Sequence, residues 1–158
     1  MPDASSLSSS PDTSARQRWM SVLARADAAH LAALLETMPP LPACTVLRGP
    51  EGGLVMLRGR AGGGGSPFNL GEMSVTRCTV RSATGFVGHA YIQGRDSARA
   101  RLAAELDAAL QDPARHDQLQ TAVIAPLAAE QQAARATTAA KAAATRVQFF
   151  TMATMRTS

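Results

Sequence analysis

The stretch from Arg58 to Gly94 constrains the fold most, because it joins segments of strand character through a glycine run and a turn. Gly62–Gly65 follows a short apolar segment, and Leu70–Ala83 then alternates between polar and apolar residues. Phe86–Gln93 resumes this alternation after a tight turn at Thr84–Gly85. Because the side chains of a β-strand point alternately to opposite faces, this period of two predicts an antiparallel pair of strands. Neither face of the first strand is cleanly apolar, so the pattern leaves open which face is buried.

Two further strands are expected before the glycine run. Thr45–Arg48 is partly β-branched and Leu54–Arg60 is largely apolar, while Gly49–Gly53 between them is rich in glycine and contains a proline. This arrangement predicts a β-hairpin with a turn over the glycine-rich residues. Together the segments predict an antiparallel β-meander of about four strands.

Helices are predicted both before and after the sheet segments in the chain. Ser14 begins a first helix and Asp27 caps a second one, which ends at Pro39. After the sheet, Asp96 or Ser97 caps another helix.

Two more helices are predicted to follow, a short one from Pro113 and a long, alanine-rich one from Pro126 to Ala144. The fold class is therefore α+β, with N-terminal helices, the meander and a C-terminal helical segment. Residues 1–13 are serine-rich and are expected to form a disordered tail, and residues 14–158 a single domain.

Composition excludes several classes of protein. The formal net charge is +4, with no basic run or basic helix, so a nucleic-acid-binding role is not expected. No apolar run reaches the roughly 18 residues that a membrane span requires. Two cysteines without paired spacing, Cys44 and Cys78, are typical of a reducing compartment, and the chain is expected in the cytoplasm.

The best candidates for binding chemistry surround the glycine run. Arginine forks suit phosphates and carboxylates, and glycine backbone N–H groups can wrap an anion. The anion-binding candidates are Arg58, Arg60, Gly63, Gly64, Arg77 and Arg81. Two simpler interpretations remain open, a flexible hairpin connection and solvated arginines on an exposed sheet face. No lysine and hydroxyl follow the glycines, so the run is not a nucleotide-binding P-loop.

No catalytic or metal site is predicted. His30, His89 and His116 have no ligand spacing with one another or with the cysteines. Near the C-terminus, Phe149 and Phe150 are adjacent in a segment of strand character. Because neighbouring residues of a strand face opposite sides, one of the two is expected to meet a partner chain.

Four blocks of the sequence resemble the G subunit family of bacterial carbon–phosphorus lyase. They are R-Q-R-W-M-S-V-L-A from Arg16, G-L-V-M-L-R-G-R-A-G-G-G-G-S-P-F-N-L-G-E-M-S-V-T-R-C-T-V-R from Gly53, G-H-A-Y-I-Q-G-R-D from Gly88 and A-T-R-V-Q-F-F-T-M from Ala144. The resemblance runs from about Arg16 to Met152, which is nearly the whole chain.

This resemblance implies a role in the use of alkylphosphonates as a phosphorus source. It implies that the chain works with the I, H, J and L subunits (PhnI, PhnH, PhnJ and PhnL). The implied reaction displaces adenine from ATP by a phosphonate oxygen and gives ribose 1-phosphonate 5-triphosphate. ATP and Mg²⁺ would enter as substrate of the complex, with no cofactor held by this chain, which is expected to be accessory rather than catalytic. The alternative is a stand-alone anion- or nucleotide-binding module.

Overall fold

The computed structural model describes residues 13–60 and 65–146. It confirms an α+β fold with N-terminal helices, an antiparallel sheet and a C-terminal helical segment. The elements in chain order are α1 (Thr13–Leu23), α2 (Ala28–Glu36), β1 (Cys44–Gly59), β2 (Phe68–Ser82), β3 (Val87–Gln93), α3 (Ser97–Leu110), α4 (Pro113–Leu119), a π-helical turn (Gln120–Ile124) and α5 (Ala125–Ala144). Helix α1 includes Thr13, the last residue of the predicted tail, and residues 1–12 lie outside the description. No helix within the described ranges is long and apolar enough to cross a membrane.

The sheet in this part of the chain has three strands rather than the predicted four, in the order β1-β2-β3. The predicted hairpin over residues 45–60 is wrong, because both of its segments belong to the single strand β1. Gly52 and Gly53, expected in a turn, instead pair with Thr76 and Val75 of β2. The antiparallel pair that does form is β1 with β2.

A β-bulge explains why Gly49 and Pro50 do not end β1. The register shifts between Val46 and Arg48 and again between Arg48 and Glu51. Gly49 takes a φ of 70°, a conformation that glycine adopts without strain. Proline lacks a backbone N–H, but β1 lies at the edge of the sheet, where a missing donor is tolerated.

Helix α3 covers one face of the sheet, and its small residues allow a close approach. Ala100, Ala104 and Ala108 recur every four residues, share one side of the helix and are fully buried. A Cβ atom on Gly88 would lie 1.9 Å from the Ala104 carbonyl oxygen, so only glycine fits at this position of β3. The neighbouring sheet residues on this face are buried, and they include Cys78, Val80, Ala90 and Ile92. We call the opposite side of the sheet the outer face.

Most helix starts agree with the sequence predictions, because capping is a local property. Asp27 accepts hydrogen bonds from two backbone N–H groups of α2, and Asp96 accepts one from the first turn of α3. Helix α5 does contain Pro126 in its first turn, but it continues directly from α4 through the π-helical turn. The wider π turn helps to accommodate the N–H that Pro126 lacks.

Candidate functional site

The outer face carries a compact group of charged side chains on β1 and β2. One oxygen of Glu51, Oε1, accepts hydrogen bonds from Nε of Arg48 and from Nε of Arg77, each at 2.6 Å. Desolvation acts to raise the pKa of Glu51, but the hydrogen bonds and charges of Arg77 and Arg48 outweigh it and lower the pKa. Two guanidinium groups thus share a single carboxylate, and this trio keeps one net positive charge. We call Arg48, Glu51 and Arg77 the outer-face cluster.

A shallow cavity of about 210 Å³ adjoins this cluster. Arg48, Arg77, His89 and Tyr91 contribute to its walls. Nδ1 of His89 lies 3.1 Å from Oγ1 of Thr79, which fixes the orientation of the imidazole ring. Met20, Cys78 and Ala90 complete walls that are mostly apolar, so the two guanidinium groups at the border are the part of this cavity suited to a small anion.

The sheet register does not bring the four predicted arginines together. Arg58 is opposite Asn69, whereas Arg77 is opposite Glu51. Asn69 and Arg77 are eight residues apart on β2, which corresponds to about 26 Å along a strand. Arg77 and Arg81 share the outer face but lie about 13 Å apart. The register therefore separates Arg58 from Arg77 and Arg81, and the carboxylate that pairs with Arg77 is Glu51. The anion-binding role of these arginines stays a prediction.

Some of the predicted site residues lie outside the ranges that the structure describes. Gly63 and Gly64 lie in the undescribed segment 61–64, and Phe149 and Phe150 lie beyond residue 146. Arg60 is described and exposed, directly after the end of β1. The anion role of the two glycines and the partner contact of the phenylalanines stay predictions.

Asp107 of α3 is fully buried and has the most side-chain hydrogen bonds of the described carboxylates, although no sequence motif indicated it. Its carboxylate accepts hydrogen bonds from Nε and one Nη of Arg16, at 3.2 and 2.7 Å. It also accepts from Nε1 of Trp19 at 2.9 Å and from the backbone N–H of His89 at 2.8 Å. Asp107 thereby fastens α1 and α3 to the edge of β3. Arg16 and Trp19 lie 91 and 88 positions before Asp107, so the sequence carries no local signal for these two contacts.

The two cysteines have no features of a nucleophile. Cys78 is buried under α3, and burial raises the pKa of its thiol. Burial also raises the pKa of Cys44, and the nearby charge of Glu105 adds to this effect. Because the thiolate is the reactive form, neither thiol is activated as a nucleophile; Cys78 packs in the core, and the Cys44 thiol donates a hydrogen bond to the Pro42 carbonyl. No cluster of histidine, cysteine or carboxylate side chains suited to a metal ion occurs in residues 13–60 and 65–146.

A two-stranded ribbon extends beyond β3. Only residues 75–81 of β2 pair with β3. In the part of the chain that the structure describes, residues 54–59 of β1 and 68–74 of β2 therefore have no third strand beside them. We call these two segments the β-arm, and none of its residues is buried. Its most exposed large apolar side chains are Leu54 (61%), Leu70 (60%), Met56 (52%), Phe68 (46%) and Leu57 (40%).

The second half of α5 is also exposed. Leu127 is buried and Gln131 donates a hydrogen bond to the Val22 carbonyl, which anchors the first turns of the helix to α1. Every residue from 132 to 146 is exposed. The second half of this alanine-rich helix therefore projects from the domain.

Comparisons with known proteins agree with the family resemblance of the sequence blocks. A family model described as "Phosphonate metabolism protein PhnG" matches residues 14–155. A protein of Rhizobium meliloti (strain 1021) is 45% identical over 152 residues, which cover 96% of this chain and 97% of the relative. That relative is named alpha-D-ribose 1-methylphosphonate 5-triphosphate synthase subunit PhnG. The match spans both the β-arm and the outer-face cluster, and the chain belongs to the PhnG family of phosphonate metabolism proteins.

Proposed function

We propose that this chain is a subunit of an enzyme that makes alpha-D-ribose 1-methylphosphonate 5-triphosphate, and that it supports the reaction rather than carrying it out. The observation that carries this proposal is the 45% identity with a subunit of that synthase, over 96% of the chain. Identity at this level along the full length is consistent with a shared fold and shared partner surfaces.

The proposed reaction breaks the bond between C1′ of the ATP ribose and adenine, and forms a bond from C1′ to a phosphonate oxygen. Adenine leaves with the electron pair of the broken bond, and the triphosphate stays on C5′. ATP and Mg²⁺ are substrate of the complex, which assembles in the cytoplasm from this chain with PhnI, PhnH, PhnJ and PhnL. The product agrees with the name of the relative, which specifies a 1-phosphonate and a 5-triphosphate on ribose.

The exposed elements support an accessory role. The β-arm and the projecting half of α5 leave the domain in two places and carry surface that the domain core does not use. Proteins that function alone rarely expose apolar side chains in such a group, because contiguous apolar surface promotes association. A subunit that is completed by its neighbours accounts for both projections.

Complementation and reconstitution test the proposal together. A strain that lacks the native gene should regain growth on methylphosphonate as its phosphorus source when this chain is supplied. The purified complex should release adenine from ATP in the presence of methylphosphonate, and omission of this chain should abolish the release. Normal growth and normal adenine release without the chain would exclude the proposed role.

A specific observation also favours the second candidate, a stand-alone anion-binding module. The outer-face cluster keeps one net positive charge beside a cavity that His89 and Tyr91 border. Titration calorimetry of the isolated chain with ATP and with methylphosphonate separates the two candidates. Micromolar affinity without partner subunits favours the module, whereas no measurable heat favours the accessory subunit.

A further inference from the structure

The β-arm presents apolar side chains on both of its faces. Leu54 and Met56 lie on the face that continues the α3 side of the sheet, while Val55 and Leu57 lie on the outer face. Leu54 and Met56 are 61% and 52% exposed, and Leu57 is 40% exposed. A two-stranded ribbon without a third layer is only marginally stable in water. Both faces therefore gain from burial against another molecule.

Among the described residues, the backbone edges of the arm are unpaired as well. Strand β3 ends where Gln93 pairs with Val75, and the N–H of Gly94 closes this end on the Ser74 carbonyl at 2.8 Å. Within the described ranges no strand continues alongside residues 68–73 of β2, and none pairs with the outer edge of β1. Unpaired N–H and C=O groups on such edges can accept a strand from another chain.

The charge of the arm restricts the chemistry of its partner. Arg58 lies near the end of the ribbon, and Arg60 follows directly after it. The arm contains one carboxylate, Glu72, which pairs in the ladder with Met56, two positions before Arg58 on β1. The end of the arm is thus positive, and carboxylates complement it best.

We infer that the β-arm is bound in an apolar groove of another subunit of the same synthase, with carboxylates of that subunit facing Arg58 and Arg60. This inference rests on the proposed function. A second copy of this chain fits less well, because two flat arms packed together would cover one face of each ribbon and leave the other exposed. One face of the arm offers far fewer than the roughly 20–30 residues a side that a standard interface uses. A groove that encloses both faces uses the full ribbon.

Co-purification of the co-expressed synthase subunits, with the tag on this chain, tests the inference. The first variant is Leu54→Ser/Met56→Ser, which removes apolar surface from the arm. Its matched control is Val46→Ser/Leu47→Ser, which makes the same kind of change on the same strand, at side chains 37% and 46% exposed. We expect the arm variant to recover at least tenfold less of the other subunits and the control to recover wild-type amounts.

A charge-reversal variant covers the case in which the first variant fails to fold. Arg58→Glu/Arg60→Glu changes only exposed groups, and Arg95→Glu, also exposed, is its control. We expect the double variant to lose at least tenfold in recovery, with a circular dichroism spectrum that matches the wild type.

The possible results distinguish failure of the groove from failure of the proposed function. Stoichiometric recovery with both arm variants would contradict the groove and leave the proposed function standing. Failure of the wild-type chain to recover any subunit would overturn the proposed function and, with it, this inference. A dimer of the wild-type chain in sedimentation that the arm variants abolish, with recovery of the other subunits unchanged, would assign the arm to a second copy instead.

Discussion

The substitution Asp107→Asn should destabilise the domain far more than its small change in shape suggests. The carboxylate accepts four hydrogen bonds, two from Arg16 and one each from the indole of Trp19 and the backbone of His89. An asparagine side chain of the same size offers one acceptor oxygen and one NH₂ group. Whichever way the amide turns, its NH₂ group then faces two donors and those bonds are lost.

The magnitude follows from the burial of the site. Asp107 is fully buried, and its partner Arg16 is 28% exposed. Breaking a buried ion pair by removing one partner costs about 3–5 kcal/mol. Because the Arg16 guanidinium can still reach water, whereas the indole of Trp19 is buried, we expect the lower end of this range. The predicted loss in the free energy of unfolding is about 3 kcal/mol.

Urea unfolding of the purified chain measures this loss as a shift in the transition midpoint at constant slope. Asp112→Asn is the matched control, because it makes the same chemical change five positions along the chain. Asp112 caps α4 through the N–H of Ala114, and asparagine caps helices as well as aspartate does. The control should stay within about 0.5 kcal/mol of the wild type. An Asp107→Asn variant within the same 0.5 kcal/mol would refute the idea that this carboxylate holds α1, α3 and β3 together.

Three further predictions concern other parts of the domain. Gly88→Ala should lower the free energy of unfolding by about 2–3 kcal/mol, because the new methyl group meets the backbone of α3. The control Gly52→Ala should change it by less than about 1 kcal/mol. Equal effects of the two variants in urea unfolding would contradict the close packing of Gly88 against α3. The raised pKa of the Cys78 thiol predicts alkylation slower than that of free cysteine at pH 8, measured by mass spectrometry. The unfolded chain releases this thiol proton at lower pH than the folded domain does. The free energy of unfolding should therefore fall as the pH rises above the ordinary thiol pKa. A free energy of unfolding that stays constant over this pH range would argue against the burial of Cys78. If the outer-face cluster binds anions, Glu51→Gln should strengthen methylphosphonate binding severalfold in calorimetry, because Arg48 and Arg77 lose the carboxylate that pairs with them. Unchanged binding heats would contradict an anion-binding role of the cluster.

Features set by neighbouring residues were predictable from the sequence. Asp27 and Asp96 cap their helices through N–H groups two to three positions away, so the signal and its effect lie in the same short window. The alternation in β2 and β3 likewise identified both strands and the turn at Gly85 between them. The family resemblance was predictable for a similar reason, because it rests on contiguous blocks.

Features set by contacts between distant segments were not predictable. Gly49 and Pro50 favour a turn locally, but pairing with β2 on both sides makes them a bulge within one strand. The distances between the arginines depend on the sheet register, which the sequence pattern does not specify because neither face of β2 is cleanly apolar. Asp107 resembles an ordinary surface residue of a helix until Arg16, 91 positions earlier, is placed beside it.

Hydrogen exchange of the backbone amides tests the central claim most directly, namely that the β-arm is completed by another subunit. The measurement compares residues 54–59 and 68–74 in the isolated chain and in the assembled synthase. We expect exchange in these two segments to slow by at least about tenfold on assembly, while α3 changes little because it is already buried. Equal exchange of the arm in both states, with protection elsewhere on the domain, would contradict the account.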